Sequence, residues 1–171
     1  RGTNRAVAVE GGAFVVAADH YGAILLDRDT QGTWQPLVYP SAYGPATTAA
    51  AGGPGRRDQV QPGFLRVIAL DAANRETAIF TNAAFEHVAV TADKIVASAG
   101  ANLHFAQAGQ PQVKGVVALD AGQQVLALAA SHDTVFASTV GGRVYAVRSG
   151  PLPLVDAQIE RRTLFNAAEP V

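Results

Sequence analysis

The side chains suited to chemistry are few and scattered. His132-Asp133 is a titratable pair that would serve as a general base or as two ligands of a metal ion. Either role needs a third group within reach, and none is visible in the sequence, so the pair reads as a surface turn. His20, His87 and His104 lie far apart, and a shared metal would need equivalent positions brought to one axis. Trp34 with Tyr39 and Tyr43 would form an aromatic platform for a sugar or peptide; the alternative is a Trp34 that packs between sheets. Asp27, Asp71 and Asp120 each follow a Leu at the end of an apolar run, a repetition that argues for turn capping rather than acid–base work. Neither a Gly-x-Ser-x-Gly elbow nor a phosphate-binding Gly loop is present.

Composition narrows the classes further. The chain has no Cys, which excludes disulfides, Cys-ligated zinc, iron–sulfur clusters and C-x-x-C-H haem attachment. The net charge is −1, and Arg56-Arg57 and Arg161-Arg162 are isolated pairs that read as solvated, so nucleic acid is not an expected partner. No apolar run approaches the length of a transmembrane helix, so no transmembrane segment is expected. Charged residues are 16% of the chain, below the usual quarter or so, and 17 Gly and 9 Pro favour strands and turns over helices.

The elements that must position these residues repeat. Arg5–Leu37, Glu86–Gln107 and Val125–Arg148 align as apolar strand, turn, apolar strand ending in small residues, turn, apolar strand. The first turns are Glu10-Gly11-Gly12, Thr91-Ala92-Asp93 and Ser131-His132-Asp133. The second turns carry Gly22, Gly100 and Gly141-Gly142, residues that tolerate the positive φ of a tight hairpin. Leu65–Phe80 reads as a third and fourth strand joined by a turn at Asp71–Arg75, and Val116–Asp120 as another strand. The strands are apolar almost throughout rather than alternating, so both faces of each sheet are covered. Tyr39–Gly63 is rich in Pro, Gly, Ala and Thr and reads as a long loop, and Asp156–Val171 as a last strand or short helix.

These repeats, spaced about every 40 residues, resemble those of β-propellers. Ala69–Phe80 (ALDAANRETAIF) is similar to the quinoprotein repeat, roughly Ala-Leu-Asp-Ala-x-Thr-Gly-x-x-x-Trp. Leu26–Trp34 resembles it through Asp27, Thr30, Gly32 and Trp34, and Gly141–Val147 resembles the strand before that motif. Thr3–Val9 resembles an opening found in quinoprotein dehydrogenases, and the second repeat also resembles the NHL type. Asn74-Arg75 stands where the motif has Thr-Gly, and Ile79 where it has Trp. That family implies an eight-bladed ring holding pyrroloquinoline quinone (PQQ) with calcium. None of its cofactor residues matches a position here.

The expectation is a single all-β, propeller-like domain over 1–171, of about four blades of antiparallel strands, with a long loop over 39–63. It is either a closed small propeller or part of a larger one. In such a fold the turn between strands two and three shares a face with the blade connections, which groups Asp19, His20, Tyr21, Tyr43, Asn102 and Arg143 as a candidate ligand or partner face. The expected function is a non-catalytic binding or scaffold module that mediates protein interaction, its partner another protein chain or a second copy. No cofactor is assigned. The alternative is a fragment or subunit of a PQQ-dependent oxidoreductase. The resemblance, with an N-terminal residue other than Met, implies a periplasmic or extracellular location.

Overall fold

The computed structural model describes residues 6–10, 13–17, 23–39, 50–51, 59–63, 66–70, 76–81, 83–107, 110–152 and 159–166. Among these residues, sixteen strands form four sheets. The first holds β1 (Ala6–Glu10), β2 (Ala13–Ala17), β3 (Ala23–Arg28) and β4 (Trp34–Tyr39); the second holds β5 (Ala50–Ala51), β6 (Gln59–Gly63), β7 (Arg66–Leu70) and β8 (Glu76–Thr81). The third holds β9 (His87–Val90), β10 (Lys94–Ala99), β11 (Asn102–Gln107) and β12 (Gln110–Ala118); the fourth holds β13 (Val125–Ser131), β14 (Thr134–Thr139), β15 (Arg143–Ser149) and β16 (Ile159–Asn166). Each sheet is an antiparallel meander, as a propeller blade requires. The inner strands touch in chain order, β1 with β5, β5 with β9 and β9 with β13.

One segment differs from the sequence reading, and a second resolves an alternative left open there. The stretch 39–63 contributes β5 and β6 rather than loop alone. Its Gln-Val-Gln-Pro-Gly lacks a strand signal, and Pro62 has no N–H to donate. The strand survives because β5 pairs only with Gln59 and Val60, so no neighbour on that side needs Pro62. The stretch 156–171 supplies β16, a strand rather than a helix.

Two apolar layers hold the third sheet. Phe80, Phe85, Val88, Ile95, Ala97 and Ala106 form the layer towards the second sheet. Val96, Leu103, Phe105 and Val117 pack against Val125, Val135, Ala137, Tyr145 and Val147 of the fourth. Adjacent residues of β10 therefore bury opposite ways, which is why KIVASA is apolar without alternation. Backbone bonds reinforce this second seam: Val125 N–H donates to Gly100 O at 3.0 Å, and Ala92 N–H to His132 O at 2.8 Å.

Candidate functional site

The third and fourth blades meet along two rims. On the first rim, Gly100 (φ +59°) and Gly142 (φ +74°) close the tight turns into β11 and β15, which begin at Asn102 and Arg143. Asn102 is exposed. Arg143 reaches back to the blade connection: its Nη1 donates to Asp120 Oδ2 at 2.8 Å and lies 3.3 Å from Tyr145 Oη. The Tyr145 hydroxyl donates to the same Asp120 oxygen at 2.8 Å from a fully buried ring. Hydrogen bonding and charge interaction with Tyr145, and after them Asp120, outweigh burial and hold the Arg143 guanidinium above its ordinary pKa. Nearby, Thr139 Oγ1 donates to Gln123 Oε1 at 2.6 Å, and Gln124 Nε2 to Glu86 Oε1 at 3.1 Å. Asp120 is thus a tie between blades. Its carbonyl also closes the turn to Gln123, yet it follows a fourth strand, whereas Asp27 lies within a third, so the shared Leu-Asp pattern does not mark equivalent positions.

The opposite rim carries the turns between first and second strands. Lys94, only 5% exposed, donates to both carboxylate oxygens of Asp93 at 2.9 Å. Burial pushes the Asp93 carboxyl upward, but the Lys94 hydrogen bond and charge outweigh it, and the net shift is downward. Gln107 Nε2 donates to the Asp93 carbonyl at 2.9 Å. In the fourth blade, the residue at the place of Gln107 is Arg148, whose Nε donates to Asp133 Oδ2 at 2.7 Å. That bond, with a second from Thr134, lowers the Asp133 pKa. Between the two turns lies a groove of about 650 Å³, lined by Asp93, Lys94, Gln107, Asp133, Arg148 and Leu152.

This geometry bears on the residues singled out from sequence. Ser131, His132 and Asp133 are consecutive but do not form a relay. Ser131 Oγ lies 3.2 Å from His132 Nδ1, while the Asp133 carboxylate is committed to Arg148 and Thr134. His132 itself is exposed, with φ +54° in the turn. His104 stands edge-on to Phe80 and Phe85, at 5.9 and 5.2 Å, and burial lowers its pKa. Trp34 packs within its own sheet, 5.1 Å from Phe14, with Arg28 over its ring at 4.5 Å, and remains 39% exposed. Asp29, next to it, accepts from Gln35 Nε2 and from the Gln31 and Thr33 amides, bonds that hold its carboxyl below the usual value. Among the described residues no group of three or more His, Asp or Glu could hold a metal ion. Asp19, His20, Tyr21 and Tyr43 lie outside the described residues.

Sequence reasoning missed Lys94 and Tyr145. The signal for Lys94 was a lone cation opening an otherwise apolar strand. Tyr145 carried no signal beyond being aromatic. The arrangement contains salt bridges and hydrogen-bonded ties, and charged and amide side chains line the groove between the turns.

No family model matches the sequence, and no curated protein matches it. Solved structures do. The β-propeller domain of Cps50 (Swd1) from Myceliophteria thermophila aligns at 12% identity and TM-score 0.66, over 94% of this chain and 57% of that one. A streptogramin B lyase aligns at 10% identity and TM-score 0.64, over 95% and 55%. YCF48 bound to D1 peptide aligns at 14% identity and TM-score 0.56, over 88% and 50%. The likeness shows the fold: four blades of a β-propeller. The chain spans about half the length of these proteins.

Proposed function

We propose that the chain is a non-catalytic propeller module that binds another polypeptide. The observation that carries this reading is the use made of its polar side chains. Asp120, Arg143 and Tyr145 on one rim, and Asp93, Lys94, Asp133 and Arg148 on the other, satisfy one another across or beside the blade seam. Catalysis needs a nucleophile and base held towards substrate, and these groups are held towards each other. What they leave is rigid rims, suited to contact rather than turnover. YCF48, a structural neighbour, is a protein seen bound to a peptide.

The contact face in this proposal is the one grouped from sequence: Asp19, His20, Tyr21, Tyr43, Asn102 and Arg143. Its location is periplasmic or extracellular, as the family resemblance implies. No helix among the described residues is long and apolar enough to cross a membrane. The test is selection of a displayed peptide library on the purified chain. Enriched peptides that lose binding on Asn102→Arg support the reading, and turnover of a substrate by the chain alone refutes it. The quinoprotein alternative is favoured by ALDAANRETAIF, which begins on the last two residues of β7 and runs into β8 of the second blade. Saturable binding of PQQ with calcium, read by Trp34 fluorescence, would establish that alternative.

A further inference from the structure

The groove between the Asp93 and Asp133 turns lies on the rim opposite Asn102 and Arg143, away from the contact face proposed above. One wall comes from the third blade. Lys94 stands two residues before Val96 on β10 and so shares the face turned to the fourth blade. Gln107 is its register partner on β11, and Gln110 is the partner of Gln107 on β12. An apolar face thus ends at its rim in a row of three long polar side chains. The other wall is Asp133, Arg148 and the Gly150-Pro151-Leu152 segment that follows β15.

These polar groups are not all spent on the protein. Lys94 is 5% exposed, and among the described residues its Nζ has no acceptor besides the Asp93 carboxylate, which takes two of its three N–H bonds. A buried ammonium with a donor left over is costly unless a group in the groove accepts from it. Gln107 donates Nε2 to the Asp93 carbonyl, which leaves Oε1 as an acceptor. Gln110 is exposed, and its amide makes no hydrogen bond among the described residues. Arg148 turns Nε and Nη2 to one oxygen of Asp133 and keeps the donors of Nη1.

The set selects a class of ligand. The groove carries two carboxylates and two cations, so its formal charge is zero and it favours neither an anion nor a cation. Each donor stands beside an acceptor: Lys94 by Asp93, Arg148 by Asp133, and both kinds within each glutamine amide. A hydroxyl both donates and accepts, so vicinal hydroxyls match such pairs two bonds at a time. Pro151 and Leu152 add an apolar patch for the C–H face of a sugar ring. A bound peptide would need a free strand edge or apolar side-chain pockets, whereas this groove crosses strand ends and is lined largely by polar groups. Its volume of about 650 Å³ is that of a small-ligand site. We infer that the groove is a binding site for a neutral saccharide, held through vicinal hydroxyls by Asp93, Lys94, Gln107 and Gln110 of the third blade and Arg148 of the fourth.

Saturation-transfer NMR of the purified chain with maltose, cellobiose, lactose and chitobiose tests this. Saturable transfer to at least one disaccharide is expected. Gln110→Leu, a change at an exposed position, should weaken that binding about fivefold to tenfold at an unchanged melting temperature, and Arg148→Met should weaken it as well. No transfer to any of the four, or binding indifferent to both substitutions, overturns the inference. Library-selected peptides that compete with the disaccharide overturn it too, because the groove is then a peptide site. The peptide reading of the opposite rim stands or falls separately, on Asn102→Arg.

Discussion

Replacing Tyr145 by Phe isolates one atom of the blade seam. The ring is fully buried and keeps its packing, while the hydroxyl that donates to Asp120 at 2.8 Å is lost. Asp120 retains Arg143, so no carboxylate is orphaned. The cost is that of the bond to a charged acceptor together with the longer 3.3 Å bond accepted from Arg143 Nη1, about 1.5 kcal/mol in all because Asp120 and Arg143 are partly exposed. For a domain of this size that lowers the melting temperature by roughly 3–6 °C. Asp120→Ala is the harsher change, since it leaves the buried hydroxyl without its carboxylate. The double substitution should then cost less than the sum of the singles, because both remove the same bond. Urea unfolding of the four proteins measures the cycle. Strict additivity, or a Tyr145→Phe protein as stable as the parent, would refute the idea that this hydroxyl joins the blades.

Other outcomes follow from the same contacts. Asp93→Ala should cost about 3 kcal/mol in urea unfolding and Lys94→Met much less, because the first strands a buried ammonium and the second leaves a carboxylate that water can reach. The pKa of His104 is lower folded than unfolded, so the unfolded chain binds more protons. Its contribution is complete above about pH 6.5 and is lost as pH falls from there towards the folded value; His104→Gln should flatten the stability profile between pH 7 and 5. Phe105→Ala empties a site 1% exposed in the seam and should cost about 3–5 kcal/mol by denaturant melt. Gly142→Ala, at φ +74° where an L side chain is strained, should cost about 1 kcal/mol, read as a lower melting temperature.

The blades were legible where their strands are apolar and their turns carry Gly or Asp. Ala13–Ala17, Lys94–Ala97 and Thr134–Ser138 fall within β2, β10 and β14. The second blade was half legible, because its third and fourth strands, RVIAL and ETAIFT, are β-branched and aliphatic, whereas Gln59–Gly63 is paired by its neighbour rather than by its own propensity. The site was less legible. Arg143 could be placed at a turn from the Gly pair before it, but its partner Asp120 lies 23 residues away, and nothing local in the sequence joins them. Lys94 reads from sequence as the first residue of a strand, and nothing local shows that its ammonium is buried against Asp93.

The outermost strands carry Pro36 in β4, Pro111 with Lys114 in β12, and Glu160-Arg161-Arg162 in β16. Each lies in the fourth strand, where the sheet ends. A proline offers no amide to an incoming strand, and a charged segment repels or solvates one. The outer edges of the first, third and fourth blades therefore resist growth by strand addition, the route by which exposed sheets seed fibrils. At those three blades, contact is left to faces and rims, which have fixed shapes, rather than to a backbone ladder, which would accept almost any extended chain.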